Sequence, residues 1–372
     1  MTKKFSMFLT VLFCAFIGGM SVISLLLPDK DFSPLENRYL QKPPKLALET
    51  LGSGKFMEDA EDYVSDHIVG RDFWVAAKAW SERLSGKKEN NGVYFGAQDT
   101  LISRVNTPDQ SKLDKDMGYL DSLVGNVDVP VYFGLIPSAA EIWKDRLPAG
   151  APSADEKAII DSLYFSTGAS TIDVYGALAP HSQEDLYYRT DHHWTSLGAF
   201  YGANAIFKAL GMEPIDLANY RKTTVTEQFN GTLFSTSGVR WLPPDQIDTY
   251  VPDEGVKVTS WFKGVSEEGS LYVDSYLDVK DKYSYFLGGR QPLCVVETEG
   301  RTGPRVLVIR DSYSDCLTPF LTQRFSQVHL FDPRDNLTSI KGYVEENEIN
   351  AVVVLFSFAN FAAESNLFVL AR

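Results

Sequence analysis

The stretch Arg305-Val306-Leu307-Val308-Ile309-Arg310-Asp311-Ser312-Tyr313-Ser314 joins a short apolar run to a polar turn. A continuous apolar run of this kind is typical of a strand that is buried on both faces of a sheet. It predicts a strand over 305–309 and a helix that starts near Cys316. Similar runs, with helical patterns between them, lie at 129–137, 327–331 and 351–356. Buried strands that alternate with helices predict an α/β fold with a parallel sheet covered on both faces.

The chain begins with a candidate membrane segment. Lys3 and Lys4 precede an uncharged apolar run from Phe5 to Leu27, which is long enough to cross a bilayer. The two lysines favour a cytoplasmic N-terminus. We therefore predict that residues 1–27 are a cytoplasmic stub and a transmembrane signal anchor, held in the cell membrane through residues 5–27, with the rest outside the cytoplasm. The alternative is a cleaved signal peptide, in which case the protein is secreted.

The remaining regions predict the domain organisation. Residues 28–50 contain Pro28, Pro34, Pro43 and Pro44, which indicates an extended linker. A helical pattern follows at 56–84, so we assign residues 28–105 to a linker and N-terminal helical region. Residues 106–372 form the α/β domain. Within that domain, about 212–300 is rich in Thr, Ser, Gly and Tyr with short alternating runs, which predicts a mostly β insertion.

Charge and cysteine usage narrow the classes of function. The net charge is −14, which argues against nucleic acid or anionic lipid as the main partner and suits a neutral polysaccharide or simple solubility. Outside the apolar segment only Cys294 and Cys316 are available for a disulfide, and the sequence leaves open whether they pair. The side chains of adjacent His192 and His193 are expected to diverge. We therefore predict no metal site and no cofactor.

A second polar motif, Tyr187-Tyr188-Arg189-Thr190-Asp191-His192-His193-Trp194-Thr195, leads into a helical pattern that Thr195 or Ser196 can cap and Gly211 ends. Asp191 and His193 are two residues apart, so in an extended segment both side chains point to the same side. A carboxylate bonded to one ring nitrogen would fix the tautomer and leave the other nitrogen as a base. The alternative is that Asp191 caps a turn and both histidines are surface residues.

Ser312 lies at the turn between the strand 305–309 and the following helix. Such a turn stands at the carboxyl edge of the sheet, where ligands bind in open α/β folds. The helix N-terminus would offer backbone N–H groups to a developing oxyanion. The alternative is that Asp311, Ser312 or Ser314 merely caps the helix.

The motif Asp191-His192-His193-Trp194 resembles the DHHW family, which is similar to the SGNH-like O-acetyltransferases that modify exported polysaccharides, including those that act on alginate. In those enzymes the Asp-x-His precedes the serine in the chain, as it does here. Weaker marks of the resemblance are Glu36-Asn37-Arg38, Asp66-His67 with Arg71, and Gly231-Thr232.

The resemblance implies an SGNH-hydrolase-like three-layer α/β/α domain and a transfer of acetyl groups to polysaccharide hydroxyls. It implies Ser312 as the nucleophile, His193 as the base and Asp191 as its orienting partner. It also implies a membrane-bound O-acyltransferase that delivers the acetyl group, and a polysaccharide acceptor.

The residues around these three suggest how the substrate is bound. The N–H group of Ser312 or Tyr313 would hold the oxyanion, with Asn360 as a further candidate. Trp194, Tyr187 and Tyr188 would stack on sugar rings, although aromatic residues beside such a motif can equally belong to the core. Two other functions fit the same residues: an acetyl esterase with the same triad, and a non-catalytic protein that binds or assembles polysaccharide.

Overall fold

The structure is a computed structural model and describes residues 3–372. Two compact units are present. The first comprises residues up to Asn90 together with Ser235–Trp241, and the second comprises Asn91–Phe234 together with Leu242–Arg372.

The first unit is mostly helical. Its elements are α1 (Lys3–Leu26), β1 (Phe32–Ser33), β2 (Arg38–Tyr39), α2 (Leu48–Gly52), α3 (Lys55–His67), α4 (Arg71–Leu84) and β3 (Glu89–Asn90). Helix α1 matches the predicted apolar segment, and its mean hydropathy of 2.3 and its length suffice to cross a membrane, features that a signal sequence shares. The helical pattern predicted over 56–84 is broken into α3 and α4, because Gly70 adopts a left-handed conformation (φ 70°) at the start of α4.

The carboxylate of Asp66 on α3 binds the linker that precedes the helices. Asp66, with a side chain only 5% exposed, accepts hydrogen bonds from Arg38 and, at 2.8 Å, from the backbone N–H of Gln41. Arg71 lies 3.4 Å from the same carboxylate and also pairs with Glu36. Burial raises the pKa of Asp66, but Arg38, the Gln41 N–H and Arg71 outweigh it and hold the pKa below its usual range.

We expect Asp66→Asn to destabilise the first unit by about 1–3 kcal/mol at neutral pH, less than for a fully buried ion pair because the side chain of Arg38 is 43% exposed. A carboxyl with a lowered pKa stabilises the fold above its ordinary pKa of about 4, and this contribution is lost as the pH falls through the folded-state value. Hydrogen exchange of the Gln41 amide in both proteins measures the effect. A difference that stayed constant from neutral to acidic pH would contradict it.

The second unit carries the large sheet. Its first elements are β4 (Val93–Phe95), β5 (Leu101–Ser103), α5 (Gln110–Asn126), β6 (Val131–Ile136), α6 (Ala139–Ile142), α7 (Glu156–Ser166), β7 (Ser170–Ile172), α8 (Val174–Leu178), α9 (Ser196–Ala209), β8 (Thr223–Phe229) and the start of α10. Helix α10 runs from Thr232 to Ser237, and its residues from Ser235 onward belong to the first unit. They are followed by β9 (Asp245–Thr249), β10 (Val256–Phe262), β11 (Val265–Gly269), β12 (Leu293–Thr298), β13 (Arg305–Arg310), α11 (Tyr313–Leu321), β14 (Gln327–Phe331), α12 (Ile340–Glu346), β15 (Ala351–Ser357) and α13 (Phe358–Ala363).

Eight strands form the main sheet in the order β11-β10-β12-β14-β13-β15-β6-β7. The five strands β14, β13, β15, β6 and β7 run parallel to one another. Strand β12 pairs antiparallel with β14, β10 with β12, and β11 with β10. The predicted parallel sheet is therefore present as five strands, and three antiparallel strands extend it at one side. The region predicted as a β insertion supplies these three strands, because an antiparallel neighbour can extend a parallel sheet without a helical crossover.

The predicted strands and helices appear close to their expected positions. The runs at 129–137, 305–309, 327–331 and 351–356 become β6, β13, β14 and β15. Every residue of β15 is buried. Since successive side chains point to opposite faces, the sheet is covered on both faces there. Helix α11 begins at Tyr313, earlier than predicted.

Candidate active site

The Asp191 motif forms a tight turn that holds its own histidine. Tyr187 and Trp194 form an isolated antiparallel bridge, and the N–H of Tyr188 donates to the carbonyl of His193. Within this turn, Asp191 Oδ1 lies 2.6 Å from His193 Nδ1 and 3.0 Å from the His193 backbone N. A carboxylate only accepts, so Nδ1 is the protonated nitrogen and Nε2 is free to accept a proton. The alternative of two surface histidines is wrong for His193, which is buried.

Ser312 completes a chain of hydrogen bonds with this pair. Its Oγ lies 2.8 Å from His193 Nε2, although the two residues are far apart in sequence. Ser312 occupies the N-cap position of α11 but makes no capping hydrogen bond with its side chain. Asp311 Oδ1 instead accepts from the N–H of Tyr313 at 3.1 Å. The capping alternative is therefore wrong for Ser312, whose hydroxyl faces the histidine.

Thr232, the first residue of α10, holds the second oxygen of Asp191, and Gly231 packs beside the same carboxylate. The backbone N and Oγ1 of Thr232 lie 2.7 Å and 3.0 Å from Asp191 Oδ2. A Cβ added to Gly231 would lie 2.2 Å from the Asp191 Cβ and 2.3 Å from Oδ2, so only glycine fits beside the carboxylate. Residue spacing in the sequence did not predict these contacts with Asp191. Gly231-Thr232 was noted only as a weak mark of the family resemblance.

The electrostatics of the turn keep Asp191 ionised. Burial raises the pKa of Asp191, but His192, His193 and the hydrogen bond from Thr232 outweigh it, so the pKa lies well below its usual range. Desolvation and the neighbouring His193 lower the pKa of His192 to about 4. His192 is therefore neutral at neutral pH, and its Nδ1 lies 2.7 Å from Thr232 Oγ1.

A tyrosine that the sequence did not single out packs on His193. The ring of Tyr283 stacks on the ring of His193, with centroids 3.7 Å apart and planes 8° apart. Its hydroxyl donates to the carbonyl of Ser312 at 3.0 Å. Tyr283 thus contacts both the histidine and the backbone of the serine. It lies in the segment predicted as an insertion, where no local pattern distinguishes it from other tyrosines.

The other predicted site residues lie in the core or beside it. Trp194 and Tyr188 are 0% and 2% exposed, and Tyr187 and Tyr313 are buried as well. Trp194 Nε1 donates to the carbonyl of Tyr313 at 2.8 Å. A sugar ring cannot stack on these side chains without a rearrangement of the core, because no ring face reaches solvent. The N–H of Tyr313 already donates to Asp311, which leaves the N–H of Ser312 as the available backbone donor of the two predicted for an oxyanion.

Asn360 lies beside the serine turn. Its Nδ2 donates to Asp311 Oδ2 at 2.7 Å, and Ser357 donates to the same oxygen from its N–H and hydroxyl. The predicted residue is therefore adjacent to the site, where it helps to hold the Asp311 carboxylate.

The cysteines and the histidine pair answer two questions that the sequence raised. Cys294 and Cys316 are both free and buried, so they do not pair. The prediction that His192 and His193 diverge is wrong, since their ring centroids are 3.9 Å apart. The ligand atoms of Asp191, His192 and His193 lie within 4.8 Å of one another. His193 uses both ring nitrogens in hydrogen bonds to Asp191 and Ser312, so a metal ion would have to break one of them.

Comparison with solved structures identifies two proteins of the same fold and a more distant match. A DHHW family protein from Eubacterium siraeum matches with a TM-score of 0.68 at 24% identity, over 76% of this chain and 95% of that one. Bacillus cereus PatB1, solved with a sulfonyl adduct, matches with a TM-score of 0.61 at 20% identity, over 74% of this chain and 98% of that one. The O-acetyltransferase domain of Pseudomonas putida AlgJ matches with a TM-score of 0.45 at 14% identity, over 73% and 93% of the two chains, too remote to establish a shared fold.

No curated protein matches the chain by sequence. A family model, however, matches residues 122–331, a region that includes Asp191, His193 and Ser312. This match covers more than half of the chain, and the chain therefore belongs to the DHHW family of proteins.

Proposed function

We propose that this protein is an extracytoplasmic O-acetyltransferase that moves acetyl groups to hydroxyls of a cell-surface or exported polysaccharide. The observation that carries the proposal is the continuous chain from Asp191 Oδ1 through His193 to Ser312 Oγ, with distances of 2.6 Å and 2.8 Å. A nucleophile bonded to a base that a third group orients is the arrangement required for acyl transfer. Membership of the DHHW family, with its similarity to SGNH-like acetyltransferases, supports acetyl as the group and an SGNH-like three-layer domain as the scaffold.

The chemistry proceeds in two displacements. His193 Nε2 takes the proton of Ser312 as Oγ attacks the acetyl carbonyl carbon. The carbonyl oxygen becomes an oxyanion near the N–H of Ser312, and the leaving group departs with the proton from His193. A sugar hydroxyl then loses its proton to His193 and attacks the acetyl carbon. The bond from that carbon to Ser312 Oγ breaks, and His193 returns the proton to Oγ, which restores Ser312. Asp191 stays ionised throughout and stabilises the imidazolium that forms twice.

The N-terminal helix supports the proposed location. An apolar helix over Lys3–Leu26 serves either as a signal anchor or as a signal sequence, and both export the second unit. An acetyl group must cross the bilayer to reach an enzyme at the outer face of the membrane. We propose a membrane-bound O-acyltransferase as the partner for that step.

The proposal is tested with full-length protein in detergent micelles, given an activated acetyl ester with and without polysaccharide. Acetyl groups that appear on the polymer in the wild type and not in Ser312→Ala support a transferase. Hydrolysis that polymer does not divert indicates the esterase. If neither turnover nor an acetyl adduct on the protein appears, even in membranes that hold an O-acyltransferase, the protein is not an enzyme of this class and the binding or assembly function replaces it.

Thr232→Val tests the support of Asp191. The change removes the Oγ1 bond to Asp191 Oδ2 at 3.0 Å and the 2.7 Å contact of Oγ1 with His192 Nδ1, but keeps the backbone N–H bond to Oδ2 at 2.7 Å. We expect the rate of Ser312 acetylation to fall by about tenfold, as for the loss of one hydrogen bond to a charged group. Thr224→Val is the matched control, because Thr224 also donates to a carboxylate, Asp248, but outside the triad. Equal rates in both variants would show that Thr232 Oγ1 does not support the site.

A further inference from the structure

The edge of the sheet that carries Ser312 continues across the antiparallel strands. Trp261 of β10 pairs with Leu293 of β12, Leu293 with Phe331 of β14, and Phe331 with Ile309 of β13. These residues form one row across four strands. Neighbouring strands are about 4.8 Å apart, so Trp261 stands about 14 Å along this edge from the strand that leads to Ser312.

Two cavities lie along this edge and share a residue. One, of about 1100 Å³, is bordered by Trp261, Leu293, Leu337, Tyr343 and Arg290. The other, of about 330 Å³, is bordered by Arg290, Arg334, Asp311 and Asn360. Because Arg290 borders both, the two cavities adjoin at this residue, and the smaller one reaches Asp311, the residue before Ser312. We call the two cavities together the edge trough.

The wall of the edge trough is apolar at its far end and polar near the serine. Trp261 and Tyr343 are partly exposed, and Leu337 is 47% exposed, so this end offers apolar surface to a ligand. Burial of such surface is favourable, and indole faces accept the C–H faces of flat ligands. Arginine and aspartate side chains nearer the serine can bond to hydroxyl groups.

The charges of the trough compensate one another. Arg290 Nε lies 2.5 Å from Asp335 Oδ2, and Arg334 pairs with Asp332 at 2.6 Å. Both arginines are thus already neutralised, and the whole protein carries a net charge of −14. Lys263 also borders the larger cavity, but Glu346 and Glu364 border the two cavities as well, so carboxylates outnumber cations along the trough and a polyanion would meet a repulsive protein field. The trough therefore favours an uncharged ligand with hydroxyl groups and apolar faces.

We propose that the edge trough binds the acceptor as an extended, neutral polysaccharide chain, with sugar rings packed on Trp261 and a hydroxyl brought to Ser312. The inference rests on the proposed function and specifies its substrate as a chain longer than a single sugar. It also assigns specificity to Trp261, in a segment outside the family motif.

Binding and chemistry are measured separately so that the two proposals can fail independently. In the Ser312→Ala protein, binding of dextran, chito-oligosaccharides and alginate is compared with and without Trp261→Ala. We expect at least one neutral oligomer to bind, about tenfold more weakly once Trp261 is removed, with alginate weaker than that oligomer. In the protein with Ser312 intact, Trp261→Ala should lower acetyl transfer from an activated ester to that oligomer by about tenfold. Phe165→Ala, which removes a ring that is 94% exposed on α7, is the matched control.

These measurements distinguish a failure of the edge trough from a failure of the proposed acetyl chemistry. Ester hydrolysis by the wild type with no binding of any neutral oligomer would overturn the edge trough but leave the acetyl chemistry intact. Binding that Trp261→Ala does not weaken, or tighter binding of alginate, would overturn the site or its preference for neutral chains. Trp261-dependent binding without any acetyl chemistry would retain the trough and overturn the proposed enzyme.

Discussion

Ser312→Ala is expected to lower the rate of acetyl transfer by about 10³-fold or more and to prevent any acetyl adduct on the protein. In the proposed mechanism the Ser312 oxygen forms the acyl bond, and its removal leaves His193 Nε2 without its hydrogen-bond partner. The fold should persist, because the Ser312 side chain makes no capping bond to α11. Steady-state rates with an activated acetyl ester, together with intact mass, measure both effects.

Ser314→Ala is the matched control for this change. Ser314 is two residues further on, its hydroxyl is buried, and it has no hydrogen-bond partner among residues 3–372. The substitution removes the same atom without touching the triad, so activity should be retained. A Ser312→Ala protein as active as Ser314→Ala would contradict the assignment of the nucleophile.

Gly231→Ala is expected to lower the same rate by about 10²-fold. The new methyl group would lie 2.2 Å from the Cβ of Asp191, so the carboxylate or the loop must move. Asp191 holds His193 through a 2.6 Å hydrogen bond, and a displacement of about 1 Å at a catalytic group can cost this much in rate. The Ser312 hydroxyl remains in place, so slow acetylation of Ser312 should still be detectable by mass.

Gly118→Ala provides the comparison. Gly118 lies in α5, is exposed, and a Cβ there meets no atom within 4 Å. Alanine in a helix is more favourable than glycine by about 0.5–1 kcal/mol, so this variant should be slightly more stable and fully active. Full activity of Gly231→Ala would show that the position of Asp191 is not required for the chemistry.

Local patterns predicted the parallel half of the fold, and long-range packing decided the rest. The strands β6, β13, β14 and β15 are continuous apolar runs, which carry their signal within a few residues. The antiparallel strands β10 and β12 alternate weakly and contain polar residues, so the sequence identified β structure without showing that it joins the main sheet. The register between strands that are far apart in sequence cannot be predicted from local residue patterns.

The same distinction holds for the site. Asp191 and His193 are near neighbours, so their contact follows from spacing, whereas the serine was assigned from its strand-to-helix turn and from the family resemblance. Thr232 and Tyr283 reach the triad through tertiary packing, at 2.7 Å from Asp191 and with a ring 3.7 Å from His193. The aromatic residues beside the motif were expected to bind sugar, but hydrophobic burial placed Trp194 and Tyr188 in the core.

Labelling with a sulfonyl fluoride, followed by peptide mapping, tests the central claim most directly. In the reaction a bond forms between Ser312 Oγ and sulfur, fluoride leaves, and His193 takes the serine proton. We predict one sulfonyl group on the peptide that contains Ser312, no label in Ser312→Ala, and slower labelling in Gly231→Ala. A label on another residue, or equal labelling of wild type and Ser312→Ala, would contradict a nucleophilic serine activated by His193 and Asp191.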